Sequence, residues 1–167
     1  MKNDILIYFN LITSLKTKDD LDRLSSEIDS LLASVFETGN HSFENTLESI
    51  SIKTAKKITD AIKKNNMDIA DKELIKSFLE TLKKLLGKFK TIRLIIAFEP
   101  KEETIENIHN WVSSNLGEGY ILDIETNKGL LGGAIVMSSN GEYRDFSLKK
   151  TLEETFENKK EEITRNL

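Results

Sequence analysis

Leu130-Leu131-Gly132-Gly133-Ala134-Ile135-Val136-Met137 runs straight into Ser138-Ser139-Asn140-Gly141 and then Glu142-Tyr143-Arg144-Asp145-Phe146-Ser147, and the reading of this stretch decides the fold. The apolar run is too short for an ordinary helix, carries β-branched residues near its end and stops at Asn140-Gly141, a strong turn signal. It therefore reads as a buried strand entering a hairpin. Glycine weakens a strand, so Gly132 and Gly133 mark either a bulge or a place where another backbone or helix comes very close. A phosphate-gripping loop does not fit, because no Lys-Ser/Thr pair follows the glycines and the pattern beyond them is strand rather than helix.

Working outward, Tyr143 to Phe146 is a short last strand, and Ser147 caps a helix with Leu148, Leu152, Phe156 and Ile163 on one stripe. Asn158 to Asn166 is mostly charged and reads as a fraying tail. Upstream, Asn127-Lys128-Gly129 is a turn, preceded by a strand opened by Gly119 in which Tyr120, Leu122 and Ile124 alternate with Ile121, Asp123 and Glu125. Ile92, Leu94, Ile96 and Phe98 line one face of an earlier strand whose other face is also apolar, so it is central in its sheet. Pro100 suits the first turn of the helix that follows. That helix carries Ile105, Ile108, Val112 and Leu116 inward and stops at Gly117.

The first part of the chain has helical periodicity and no convincing strand. Ile5, Tyr8, Phe9, Ile12 and Leu15 recur at steps of three or four. Leu21, Leu24, Ile28, Leu31 and Val35 form a seam that wants a partner helix inside the same chain, with Gly39-Asn40 as its stop. Phe43 to Ile62 carries one bent helix or two. Asp71 caps a last helix with Leu74, Ile75, Phe78, Leu79, Leu82, Leu85 and Leu86, ending at Gly87. The expected fold class is α+β: a helical bundle over residues 1–88, then an α/β domain over 89–167 in the order strand, helix, three strands, helix, with a small mixed sheet and packed helices.

Composition narrows the chemistry. There are no cysteines, which excludes disulfides and thiol nucleophiles. Lys and Arg number 24 against 28 Asp and Glu, and the net charge of -4 argues against a nucleic-acid groove. His109 reads as a partly exposed helix residue, since no second histidine or carboxylate stands at ligand spacing, and Trp111 as core or rim. Asp145 and Ser147 have no histidine or lysine in register to make a catalytic pair. No catalytic residue, metal ligand or cofactor site is expected. The apolar stretch Ile5 to Leu15 is shorter than the roughly 20 residues that cross a bilayer, so a cytoplasmic protein is expected, able to dock on a membrane-bound assembly.

The succession of an apolar strand before a proline, an acid-rich helix start, Gly-Tyr-Ile-Leu-Asp-Ile, Leu130-Leu131-Gly132-Gly133, Asn140-Gly141, Asp145-Phe146-Ser147 and a final helix resembles the delta subunit of F-type ATP synthases, the oligomycin-sensitivity-conferring protein family. Gly132, Gly133, Asp145, Ser147 and Leu152 stand at the family's matching places, over about residues 90 to 160. The start differs: Leu6-Ile7-Tyr8-Phe9-Asn10-Leu11 replaces an Arg-Tyr-Ala-x-Ala-Leu type motif, and the N-terminal domain is shortened. The resemblance implies a non-catalytic peripheral-stalk subunit at the inner face of the bacterial cell membrane, joining the alpha subunits of the catalytic head to the b subunit. Ile5, Tyr8, Phe9 and Ile12 are then expected to line the groove for an alpha-subunit helix. The rivals are a helical adaptor unrelated to ATP synthesis and an α/β regulator with a small ligand near the glycines.

Overall fold

The structure, a computed structural model, describes residues 8–9, 11–138 and 141–165, with side chains through 157 and at 159. The fold is α+β, and the chain divides into two compact units, Met1–Phe89 and Lys90–Leu167.

The first unit is helical. Residues 8–9 and 11–12 are helical, and four helices follow: α1 (Lys18–Ser34), α2 (Phe43–Ser49), α3 (Ile52–Lys64) and α4 (Lys72–Leu86). Leu24, Ile28, Leu31 and Val35 meet Ile58, Ile62, Ile75, Leu79 and Leu82 in one core, so the α1 seam is satisfied inside the chain. Burying each such side chain contributes about 1.5–3 kcal/mol. The exposed ion pair from Lys83 to Asp29, which joins α4 to α1, is worth at most about 1 kcal/mol. Apolar burial therefore holds this unit together.

Caps fix the helix limits. Thr17 accepts from the Asp20 N–H at 3.2 Å, and Asp71 accepts from the Leu74 N–H at 3.0 Å. Ser51 starts α3, which resolves the Phe43 to Ile62 stretch into two helices. α3 ends on Asn66, whose φ of 49° lets Asn66 N–H reach Lys63 O at 3.1 Å and Met67 N–H reach Ile62 O at 3.0 Å, the paired bonds of a Schellman ending. α1 stops earlier than expected. Val35 is the last buried residue of its seam, Phe36 is half exposed, and Gly39 (φ 65°) instead opens a short 3-10 turn, Gly39–His41.

The second unit is a four-stranded sheet in the order β2-β1-β3-β4. β1 (Lys90–Ile96) is central, parallel to β2 (Tyr120–Thr126) through Ile92 opposite Leu122, and antiparallel to β3 (Ala134–Ser138) through Leu94 opposite Val136. β4 (Tyr143–Asp145) closes the edge against β3. The parallel pair needs a crossover, supplied by α5 (Glu102–Leu116). Its Ile105, Ile108 and Val112 pack over Ile92 and Leu122. Pro100 stands just ahead of α5 rather than in its first turn, and Phe98 and Leu116 are exposed rather than inward. α6 (Leu148–Arg165) ends the chain. It runs into the tail expected to fray, a stretch rich in Glu and Lys, which are good helix formers. Among the described residues no helix is long and apolar enough to cross a membrane.

Candidate functional site

The glycine pair does not lie within a strand. Gly132 and Gly133 have φ of 89° and 80°, which interrupts the extended pattern, so β3 begins only at Ala134 and Leu131 is exposed. Of the two readings of these glycines, close approach is the one observed. A Cβ on Gly133 would fall onto the carbonyl oxygen of Phe146 and within 2.8 Å of Ser147 Cα. A Cβ on Gly132 would meet only the end of the Leu148 side chain, at 2.7 Å.

Backbone bonds lock the same junction. Phe146 N–H donates to Ala134 O at 2.8 Å and Leu148 N–H to Gly132 O at 3.2 Å. Asp145 Oδ1 accepts from Ser147 N–H at 2.8 Å, an aspartate turn that bends the chain out of β4. Ser147, buried, then faces the start of α6, its Oγ accepting from Lys150 N–H at a long 3.5 Å and its carbonyl from Thr151 N–H at 3.3 Å. The Ser147 hydroxyl first, and its backbone N–H second, hold the Asp145 carboxyl below the usual carboxylate range; Tyr143 and Lys150 add to this. Gly132, Gly133, Asp145 and Ser147 thus meet at one joint between β3, β4 and α6. Gly141 (φ 87°) forms the turn between those strands, with its N–H on Ser138 O at 2.9 Å; Asn140 lies outside the described residues.

Leu152 belongs to a different feature. On α6, Leu148, Leu152 and Phe156 recur every four residues and stay exposed by 53%, 47% and 69%, where the sequence pattern had them packed on the sheet. The Ile163 side chain lies outside the described residues. The stripe is flanked by the Lys149–Glu153 and Lys150–Glu154 pairs, so it is an amphipathic face with its apolar side uncovered.

The described members of the N-terminal set differ in exposure. Ile5 lies outside the described residues. Tyr8 stacks on Phe78 with ring centroids 5.3 Å apart, and Ile12 packs on the helical core, while Phe9 is half exposed. The same unit does carry an apolar groove, about 550 Å3, formed by α2 and α3. Leu47, Ile50, Ala55 and Ile69 line it, and Ile52 stands 88% exposed at its edge. The local sequence does not set Ile52 apart, since Phe43 also directly follows a capping serine and is buried in the helical core.

His41 is exposed and His109 partly so, and Trp111 is exposed rather than core. Among the described residues no group of His, Asp or Glu is arranged to hold a metal ion. Comparison with family models and with curated proteins finds no match to this chain.

Proposed function

We propose that the chain is a delta-type subunit of the peripheral stalk of an F-type ATP synthase. In this reading it makes and breaks no bonds. It links the catalytic head, through an N-terminal helix of an alpha subunit, to the C-terminal helices of the b subunit, and so resists rotor torque during proton-driven ATP synthesis at the inner face of the bacterial cell membrane. The observation that carries the reading is the joint described above. The Gly132-Gly133 pair and the Asp145-x-Ser147 pair, which the resemblance joins into one motif, depend on each other for backbone space and hydrogen bonding.

Two surfaces support the clamping role. The uncovered stripe of α6 suits a stalk helix, and the α2–α3 groove suits an amphipathic helix laid into it. Continuous torque calls for slow dissociation, so each contact should reach a Kd of order nanomolar, about -12 kcal/mol.

The test is capture of alpha-subunit and b-subunit peptides by the full chain in a binding titration. Leu152→Asp should weaken the b peptide, and Ile52→Asp or Phe9→Asp the alpha peptide, each about a hundredfold if the residue is a central contact. Whichever of Ile52 and Phe9 matters identifies the alpha-binding surface. Absence of binding to both peptides by the folded chain defeats the reading and favours a helical adaptor with other partners.

A further inference from the structure

A cluster of charged side chains elsewhere in the first unit has no part in the stator reading. A cavity of about 230 Å3 lies where the segment around residues 11–15 meets the starts of α1 and α3, and its charged wall is Asp20, Arg23, Lys53 and Lys57. Asp20 is the one carboxylate in that wall. One of its oxygens pairs with Arg23, and the other accepts from the Thr17 hydroxyl at 3.0 Å. The neighbouring acids Asp19, Asp22 and Glu27 do not line the cavity, and Glu27 accepts from Ser51 N–H at 3.0 Å.

Among the described residues neither Lys53 nor Lys57 forms an ion pair with a carboxylate. They stand one turn apart on α3 and face the same space. Lys57 is partly buried, and the hydrogen bond of its ammonium goes to a neutral group, the Ser14 hydroxyl. Burial first, and Lys53 second, push Lys57 below the ordinary lysine range, with Asp20 opposing them. Lys53 has no ion pair among the described residues. A fold that holds like charges together in a concave, part-apolar space is arranged for a counter-charge from outside. Leu11 and Leu24, both buried, give the cavity an apolar floor.

We infer that this cavity binds a small phosphate-type oxyanion, held by the ammonium groups of Lys53 and Lys57. Each ammonium offers three protons, of which Lys57 uses one on Ser14. With Asp20 matched to Arg23, the remaining charge of the wall equals that of a phosphate dianion, whereas a carboxylate leaves half of it unmatched. Lysine binds phosphate as a point charge and needs no planar fork. The volume leaves room beside a phosphate for a few carbon atoms over the leucine floor. The inference stands apart from the stator reading and survives its failure.

The test uses the full chain at about pH 7.5, where a phosphomonoester is largely a dianion. Inorganic phosphate and glycerol 3-phosphate are titrated separately, followed by calorimetry and thermal melting, with ionic strength held constant by chloride. Phosphate-bearing ligands should raise Tm where chloride alone does not. Lys53→Gln, at an exposed position, and Lys57→Gln should each weaken binding at least about tenfold. Lys84→Gln, on α4 and away from the cavity, should not. Tighter binding of glycerol 3-phosphate assigns the site to an esterified phosphate, and tighter binding of inorganic phosphate to the free ion. No binding of either ligand, or equal loss in Lys53→Gln and Lys84→Gln, overturns the assignment.

Discussion

Gly132 and Gly133 are neighbours with similar backbone angles, yet they are not equivalent. At both, a side chain pays the penalty of positive φ, about 1–2 kcal/mol. At Gly133 a methyl also collides with the backbone of Phe146 and Ser147, which cannot swing aside, whereas at Gly132 it meets a leucine methyl that can. Gly133→Ala should therefore lose about 2–4 kcal/mol and Gly132→Ala about 1–2 kcal/mol, read from urea unfolding midpoints. Equal losses would mean that backbone angle alone sets the requirement. Asp145 gives a second prediction at this scale. Its folded-state carboxyl titrates below the unfolded value of about 3.9, so its charge contributes stability above that value and loses it as pH falls through the lower folded value. In Asp145→Asn that acid-labile part should be missing. The stability gap between parent and variant should close as pH drops below about 4, and a gap that is constant with pH refutes the charge account.

Whole elements were legible in the sequence wherever period and punctuation agreed. The Asp71 cap, the Asn127-Lys128-Gly129 turn and the central position of β1 all follow from local residue order, and the structure has each of them. Legibility failed where the deciding partner is distant in sequence. The seam ends at Val35 as its spacing implies, but helix α1 stops at Ser34, short of the Gly39-Asn40 signal, and Ser14 meets Lys57 across 43 positions that no local pattern links. The α6 stripe failed for another reason. A helix written with one apolar face implies a cover, but not that the cover belongs to the same chain. That difference is measurable. Leu122→Ala, in the core under α5, should cost about 2–5 kcal/mol, whereas Leu152→Ser on α6 should stay within about 0.5 kcal/mol. A Leu152→Ser loss as large as that of Leu122→Ala would mean the stripe is packed in solution and is no docking face. Ser147→Ala, which removes the hydroxyl at the start of this helix, should cost about 1 kcal/mol.

On the scale of the whole molecule, the helical core around Ile28 and Leu79 and the sheet core around Ile92 and Leu122 share no residue. The Gly133 joint belongs wholly to the second unit. A defect there removes contacts from one core and none from the other, which gives stability the graded character of separate cooperative units. Gly133→Val is the sharpest such defect. It adds a β-branched side chain at φ of 80° and drives it into the backbone that starts α6. In hydrogen exchange of this variant, protection should be lost across β1 to β4 while amides of α1 and α4 keep parental rates, and limited proteolysis should trim the chain to its helical unit. Uniform loss of protection over both units would show that the first core depends on the second, and parental protection throughout would show that the joint tolerates bulk.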